Sequence, residues 1–494
     1  DILQSIPVLG FLPGLLLGLV ALFPDTNLGL ELAAIIMIFT GQVWNMTFSF
    51  YASIKSVPKD FKEAATVMGL SWKEKLKQVE LPYSAVNLAW NSLLSMAGGW
   101  FFLIPCEAIT LGDQQYRLPG IGAYMDVAVK AGDFQAVGMA VFTMILIIVS
   151  MDFVIWRPIL SWVQRFRLEE NPTVSSTEPL MNIWIRESQI VRWIKLKYRD
   201  FLLSSHRRSK KQVAYLEKIA VWKKFSTQFR SLQASQGLKS LCSHRNLKVF
   251  EVVIASLLFS ALFTGSVKLF FVLKSLSPQV WIGLFRDMLW TFLRVIFALA
   301  FSTLWAVPVG IWIGTSSKRI RLAQPIIQVL ASFPAPMLYP VVLTGLFSLG
   351  FSLNWAAMFL MLLGVQWYVL FNVLAGAMRI PRELNDALEL MECSSWDKWK
   401  RLYLPSVFPS LVTGWVSASG GAWNASVVAE YLFYQGKILK ADGLGADLSV
   451  ATSGQNFTYF AATLTLMVFA VICFNRLVWS RLYELAQTRF RLEG

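Results

Sequence analysis

The sequence predicts an all-α polytopic membrane protein made of two tandem copies of one helical unit, and three observations carry that prediction. The chain of 494 residues is 55% hydrophobic and only 15% charged, with a mean hydropathy of +0.53; a soluble chain carries about 25% charged residues. Apolar runs approaching the roughly 20 residues needed to cross a bilayer recur along it. The cores from Val141 to Trp156 and from Val252 to Phe263 are two of them. Third, a displacement of 323 positions lays one half of the chain on the other without gaps. Pro13 then meets Pro336, Trp44 meets Trp367, Pro58 meets Pro381 and Trp100 meets Trp423. Leu81-Pro82 meets Leu404-Pro405, Glu107 meets Glu430, and Gly120 and Gly122 meet Gly443 and Gly445. Matches of Leu or Val in apolar sequence are cheap, but a series of Trp, Pro and Glu is not, so the chain is read as a duplication.

The second copy reads as six spans, near 249–274, 289–315, 323–347, 352–377, 406–428 and 457–477. The first supplies counterparts of the last four, near 3–23, 29–52, 83–104 and 136–157. Ten spans are therefore expected in this sequence, and twelve in a polypeptide whose N-terminal part were complete. The chain opens without Met inside an apolar region, which fits a missing N-terminus. The domain organisation expected is a first repeat over 1–157, a basic insert over 158–248 and a second repeat over 249–494.

Charge orients the spans. The net charge is +15, and the stretch from Arg157 to Lys248 alone holds 19 Lys/Arg against 6 Asp/Glu. With alternating spans, this stretch shares a side with Lys318, Arg319 and Arg321, with the loops 55–82 and 378–405, and with Arg476, Arg481, Arg489 and Arg491 after the last span. The bias of Lys and Arg toward the cytoplasm places that side, and the C-terminus, inside. A basic patch is also the footprint of nucleic-acid binding, but between membrane spans the topological bias is sufficient and no nucleic acid is expected. Within the insert, Ile183, Trp184, Ile190, Trp193 and Ile194 recur at helical spacing among cations, as in helices that lie on an anionic lipid surface or against a partner. A plain tether between the halves is the competing reading.

Little points to covalent chemistry. Cys106, Cys242, Cys393 and Cys473 are isolated, and both histidines, His206 and His244, lie in the polar insert, so no metal centre is expected. No Gly-x4-Gly-Lys-Ser/Thr phosphate loop is present. The chain is thus expected not to be an enzyme and to hold no cofactor of its own.

Both repeats place an amphipathic stretch on the basic side. In the first, Pro58 opens a helix through Glu63-Ala64-Ala65, Gly69 allows a sharp bend, and a short helix begins at Leu70-Ser71-Trp72. Spacing alone fits an ordinary surface helix as well as a docking element. The pattern Glu63-Ala64-Ala65, Gly69, Val79, Leu81-Pro82, however, resembles the EAA loop of binding-protein-dependent ABC importer permeases. The second repeat has a weaker copy: Asp386-Ala387, Glu392 in place of Gly, Cys393, Ser394, Trp396, then Leu404-Pro405. The stretch from Trp100 through Glu107 to Gly120-Ile-Gly122, and its copy from Trp423 through Ala429-Glu430 to Gly443-Leu-Gly445, resembles the nitrate/sulfonate/bicarbonate (taurine) permeases.

The resemblance implies tandem type I ABC importer transmembrane domains in a bacterial inner membrane. It implies two ABC ATPase subunits that carry ATP and Mg, an extracytoplasmic substrate-binding protein, and a small anionic solute. The two loops would be coupling helices seated in grooves of the ATPases. An ion-coupled secondary transporter is the alternative, but Glu31, Glu107, Asp152 and Glu430 fall near span ends rather than at the midplane such coupling uses. Polar groups at membrane depth face a bundle interior or a cavity. Gln42, Asn45, Asn91, Gln366, Tyr368 and Asn424 are therefore candidates for the substrate path, with Gln42 and Asn45 supplying donors opposite Val365. Arg294 is expected either to face an anionic substrate or to pair with Asp287.

Overall fold

The computed structural model describes residues 8–166 apart from 11, 25, 112 and 113; residues 256, 259 and 260; and residues 263–489 apart from 455. The chain divides into two compact units: one joins Asp1–Ser176 to Leu276–Gly494, and the other is Thr177–Ser275. Of the second unit, 263–274 is helical. The amphipathic pattern expected over 181–236, both histidines and Cys242 lie outside the described residues.

In the first unit the chain forms α1 (Leu12–Leu22), α2 (Leu28–Ser56), α3 (Lys59–Val67), α4 (Trp72–Lys75), α5 (Leu81–Phe101) and α6 (Leu103–Glu107). A hairpin of β1 (Ala108–Leu111) and β2 (Gln114–Arg117) follows, then α7 (Ile121–Ala131), α8 (Phe134–Met151) and α9 (Arg157–Val163). The second half runs α10 (Pro278–Gly314), α11 (Ser317–Ser332), α12 (Ala335–Ser348), α13 (Leu353–Met378), α14 (Arg382–Leu390), α15 (Ser395–Lys398) and α16 (Leu404–Ala429). It ends with hairpin β3 (Tyr431–Tyr434) and β4 (Lys437–Lys440), α17 (Leu444–Ser453), α18 (Phe457–Phe474) and α19 (Ser480–Arg489).

The displacement of 323 found in the sequence holds in the structure: it carries α3 onto α14, α4 onto α15, both strands of the first hairpin onto the second, and α8 onto α18, end to end. Even the π-helical turns match, Leu76–Glu80 with Trp399–Tyr403 and Asp152–Trp156 with Asn475–Trp479. The protein is all-α and polytopic apart from these two short hairpins.

Among the described residues, five helical stretches are long and apolar enough to cross a membrane: Leu28–Lys55, Phe134–Val163, Pro278–Gly314, Leu353–Met378 and Phe457–Ala486. The span expected near 323–347 is broken: Pro325–Ser332 and Ala335–Ser348 meet at 84°. Phe333 precedes Pro334, which cannot donate to the ladder, and Phe333 takes an extended conformation, as the clash with a following proline ring favours. The span expected to begin near 289 starts at Pro278, which takes the first helical turn where no N–H is needed.

Small residues let the second-half helices approach closely, the usual device in lipid. A Cβ on Gly314 of α10 would lie 2.5 Å from the Cβ of Ala377 on α13, and one on Gly376 of α13 would lie 2.8 Å from Ser410 on α16. The halves also share cores. Met337 of α12 is fully buried among Leu103, Met125, Met144 and Ile148 of the first half. Val427 and Val428 of α16 pack against the first-half cluster around Leu16, Met37 and Phe102. Asp152, buried at the end of α8, accepts from Arg157 Nε at 2.8 Å and from Gln328 of α11, a further tie across the seam.

Candidate functional site

Three constructions stand out: a pair of surface loops at one end of the bundle, a buried carboxylate clasp beside each hairpin, and a cavity between the halves. Loop and hairpin lie at opposite ends of α5, whose 21 residues span about 30 Å.

In the first loop Pro58 caps α3, and the helix ends in a left-handed turn at Gly69, φ 66°. The Leu70 amide returns to the Ala65 carbonyl at 3.1 Å and the Gly69 amide to Thr66 at 3.0 Å, closing the helix end. Ser71 then starts α4 with a capping box: its amide and hydroxyl donate to Glu74 Oε2 at 2.9 and 2.6 Å. These Ser71 bonds, the hydroxyl's first, hold the Glu74 carboxyl below the usual carboxylate range. The second loop repeats the left-handed turn and the serine cap. Glu392 stands where Gly69 does and takes φ 51°; the Cys393 amide returns to the Leu388 carbonyl at 3.1 Å; and Ser394 Oγ donates to Asp397 at 2.6 Å. The Ser394 hydroxyl, with Arg401 nearby, lowers the Asp397 carboxyl in the same way. A carboxylate depressed on folding stabilises above its unfolded pKa and stops doing so as pH falls through its folded one, so both caps loosen only in acid below the usual carboxylate range.

The turn at Glu392 holds an L-residue in the left-handed region, a conformation that costs such residues about 1–2 kcal/mol. Glu392→Gly is therefore expected to firm the second loop by about 1 kcal/mol, read as slower hydrogen exchange at the Glu392 and Cys393 amides; faster exchange would contradict the assignment.

Of the residues expected to couple, Ala65 is buried at 3% exposure, anchoring the first loop. Glu63, Ala64, Gly69, Ser71 and Trp72, and likewise Asp386, Ala387, Ser394 and Trp396, are exposed, while Leu70 and Cys393 are half-buried. Each loop presents matched apolar side chains to its surroundings. Phe61, Val67 and Met68 correspond to Leu384, Leu390 and Met391, with Val67 at 88% and Leu390 at 86% exposure. Trp72 and Trp396 are both 72% exposed.

At the other end, Glu107 closes α6 and its Oε2 accepts the Gly122 and Ala123 amides at 2.7 and 3.1 Å, capping α7. Glu430, fully buried at the end of α16, accepts Gly445 and Ala446 amides at 2.8 and 3.3 Å. The spacing from Glu to Gly-x-Gly is thereby explained: a Cβ at Gly120 or Gly443 would collide with the carboxylate. Arg294 does not pair with Asp287, nor does it face a cavity. Its Nη1 donates to Glu430 Oε1 at 2.7 Å and to the Asp442 carbonyl at 2.6 Å, and its Nη2 to Asn354 Oδ1 at 3.1 Å. Thr291 Oγ1 joins Glu430 at 2.9 Å. Asp287 instead accepts from Arg286 at 3.1 Å. Seven residues along a helix are about 10 Å of rise, so the tertiary partner wins over the one on the same face.

A cavity of about 90 Å³ lies between the halves. Equivalent residues face it from both sides: Gly41 and Gly364, Trp44 and Trp367, Gly98 and Gly421. Of the expected path residues, Tyr368 and Asn424 line it; Gln42, Asn91 and Gln366 do not. Gln42 packs over Gly99 and accepts from Ser95 through its carbonyl at 3.0 Å, and Asn91 bonds to Ser49 at 3.0 Å. Asn424 already holds the Val8 amide at 2.7 Å and donates to the Gly420 carbonyl at 3.0 Å. The Asn45 side chain lies outside the described atoms. The second half lines it with Tyr368, Ser417, Asn424 and Val365, and the first half contributes Trp44, Phe101 and Phe102.

Comparison with known proteins fits this arrangement. The family described as binding-protein-dependent transport system inner membrane component matches residues 1–155 and 306–491. The chain is 28% identical over 150 residues to the nitrate import permease protein NrtB of Leptolyngbya laminosa, covering 30% of this chain and 52% of that one. It is 26% identical over 149 residues to the bicarbonate transport system permease protein CmpB of Synechococcus elongatus, covering 30% and 52%. A putative ABC transporter permease protein of Methanocaldococcus jannaschii is 27% identical over 139 residues, covering 28% and 51%. The chain thus spans about half the length of the curated relatives it matches. Two helical units related by a constant displacement, both inside the matched segments, identify the chain as a member of the binding-protein-dependent transport inner membrane component family, with two permease halves fused in one polypeptide.

Proposed function

We propose that the chain is the membrane permease of an ATP-driven importer, supplying both halves of the translocation path for a small solute and both contacts to separate ATPase subunits. The observation that carries this reading is the pair of loops, each built on a left-handed turn at the equivalent position and each exposing an apolar patch and a tryptophan. Exposed apolar clusters of this kind mark protein contacts. On this reading Glu63, Ala64, Ala65, Gly69, Leu70, Ser71 and Trp72, with Asp386, Ala387, Cys393, Ser394 and Trp396, form two coupling helices, and ATP and Mg act on the partners. The repeats occupy 1–157 and 249–494 around the basic insert 158–248. The loops and the C-terminus face the cytoplasm of a bacterial cell, and a substrate-binding protein delivers the solute to the hairpin end. The names of the relatives, nitrate and bicarbonate permeases, favour a small anion. An ion-coupled cycle gains no support, because Glu107, Glu430 and Asp152 are each tied to amides or to a basic or amide side chain.

Cysteines placed at Trp72 and Trp396 are expected to be alkylated quickly in the isolated protein and slowly once it is bound to its ATPase subunits. Equal labelling in both states would mean that the ATPases, if any, dock elsewhere.

A further inference from the structure

The cavity between the halves has a lining that selects a chemistry. Among the described residues no charged side chain lines it, and Trp44, Trp367, Tyr368, Phe101 and Phe333 stand in its walls together with glycines. One side chain sits on the seam itself. A Cβ on Gly98 of the first half would lie 3.2 Å from the Tyr368 hydroxyl, and a Cβ on Gly421 of the second half 3.2 Å from Tyr368 Cε2. Gly98 and Gly421 are equivalent under the displacement of 323, so a single tyrosine ring rests between the paired glycines of both halves. The position equivalent to Tyr368 is Asn45, so the fused chain places one phenol where two identical subunits would each bring their own. The hydroxyl makes no hydrogen bond among the described residues. Across the seam, the Trp44 indole N–H is buried without a partner among the described residues. An indole is a donor only and a phenol donates readily, and a buried donor left without an acceptor is unfavourable.

We propose that this cavity is a binding site for a small flat solute with hydrogen-bond acceptors on its rim and no positive charge, held by the Tyr368 hydroxyl and the Trp44 indole between aromatic faces. The proposal rests on the reading of the chain as a permease and names what that path recognises. Selection here acts by shape and neutral donors. A cation finds no counter-charge in a desolvated pocket, and a planar group, unlike a tetrahedral one, can lie against the aromatic rings of the lining with its rim toward the two donors. A planar monoanion and a planar neutral heterocycle share the required chemistry.

The test is thermal stabilisation of the purified full chain by four kinds of probe at equal millimolar concentration and ionic strength. Nitrate or bicarbonate is the planar anion, uracil the planar neutral molecule, methanesulfonate the tetrahedral anion and guanidinium the planar cation. At least one planar, uncharged or anionic probe should raise the unfolding midpoint by about 2 °C, and methanesulfonate and guanidinium should not. The shift should vanish in Tyr368→Phe and in Trp44→Phe, whose midpoints without probe report whether they fold. Gly98→Ala, which presses a methyl on the hydroxyl, should weaken binding in the native background and add nothing to Tyr368→Phe. Anion and neutral arms tell which of the two sources is bound. No shift with any planar probe, an equal shift with methanesulfonate or guanidinium, or a shift that survives both variants would overturn the proposal. Capture of the ATPase subunits, measured on the same variants, should be unchanged. Failure of the wild-type chain to bind them would sink the importer reading and leave the cavity result standing.

Discussion

Replacing Arg294 with Met is expected to destabilise the second half by about 3–5 kcal/mol, the range for removing one member of a buried ion pair. Glu430 would keep Thr291 and the Gly445 and Ala446 amides but lose the cation 2.7 Å from Oε1, in a site with no exposure on either partner. The same change would also release Asn354 and the Asp442 carbonyl, which Arg294 ties to the cap of α17. The double variant Arg294→Met/Glu430→Gln should recover much of the loss, because Gln still accepts the two amides and no buried charge remains. Denaturant or thermal unfolding of the four proteins, completed as a double-mutant cycle, checks this. Additive losses would mean that the pair contributes nothing as a pair.

The second large effect belongs to the first loop. Gly69→Val should abolish coupled uptake while leaving the chain in the membrane. Valine at φ 66° is a steric outlier, and α3 could keep its end only by moving α4 out of place. The turn has open space around Gly69, with nothing within 4 Å of an added Cβ, so the backbone angle alone carries the effect. Glu392→Val should cost less than Gly69→Val, because position 392 already bears the left-handed strain with a side chain in place. Uptake in proteoliposomes alongside ATP hydrolysis separates the outcomes. Normal uptake by Gly69→Val together with loss in Glu392→Val would reverse the ranking.

The duplication was fully legible because a fixed displacement preserves both residue identity and helix phase. The loops were legible for the same reason: proline, glycine and Ser-x-x-acid capping signals act within a few residues, and each forms where its residues stand. The left-handed turn at Glu392 was not, since nothing in a glutamate announces φ 51°; only the equivalence with Gly69 hints at it. The clasp was visible as a motif and opaque as a structure. Its arginine lies 136 residues from its glutamate, and helical periodicity pointed to Asp287 instead. The hairpins escaped notice because strands of four residues in a connecting segment carry too little alternation to read. The break in the span near 323–347 rests on Pro334, and a hydropathy run passes straight over it. The expected path residues were chosen for polarity at membrane depth. Such groups bond to neighbouring helices as readily as they face a cavity: Asn91 does the former, and Asn424 lines the cavity while holding the Val8 amide.

The central claim is that one polypeptide supplies both permease halves and therefore both ATPase contacts. Native mass spectrometry of the complex purified from its own membrane measures this directly. One copy of the chain with two ATPase subunits is the composition expected, reduced to one ATPase when the apolar patch of either loop is replaced by charged residues. Two copies of the chain with two ATPase subunits, or retention of both ATPases after one loop is altered, would contradict the account.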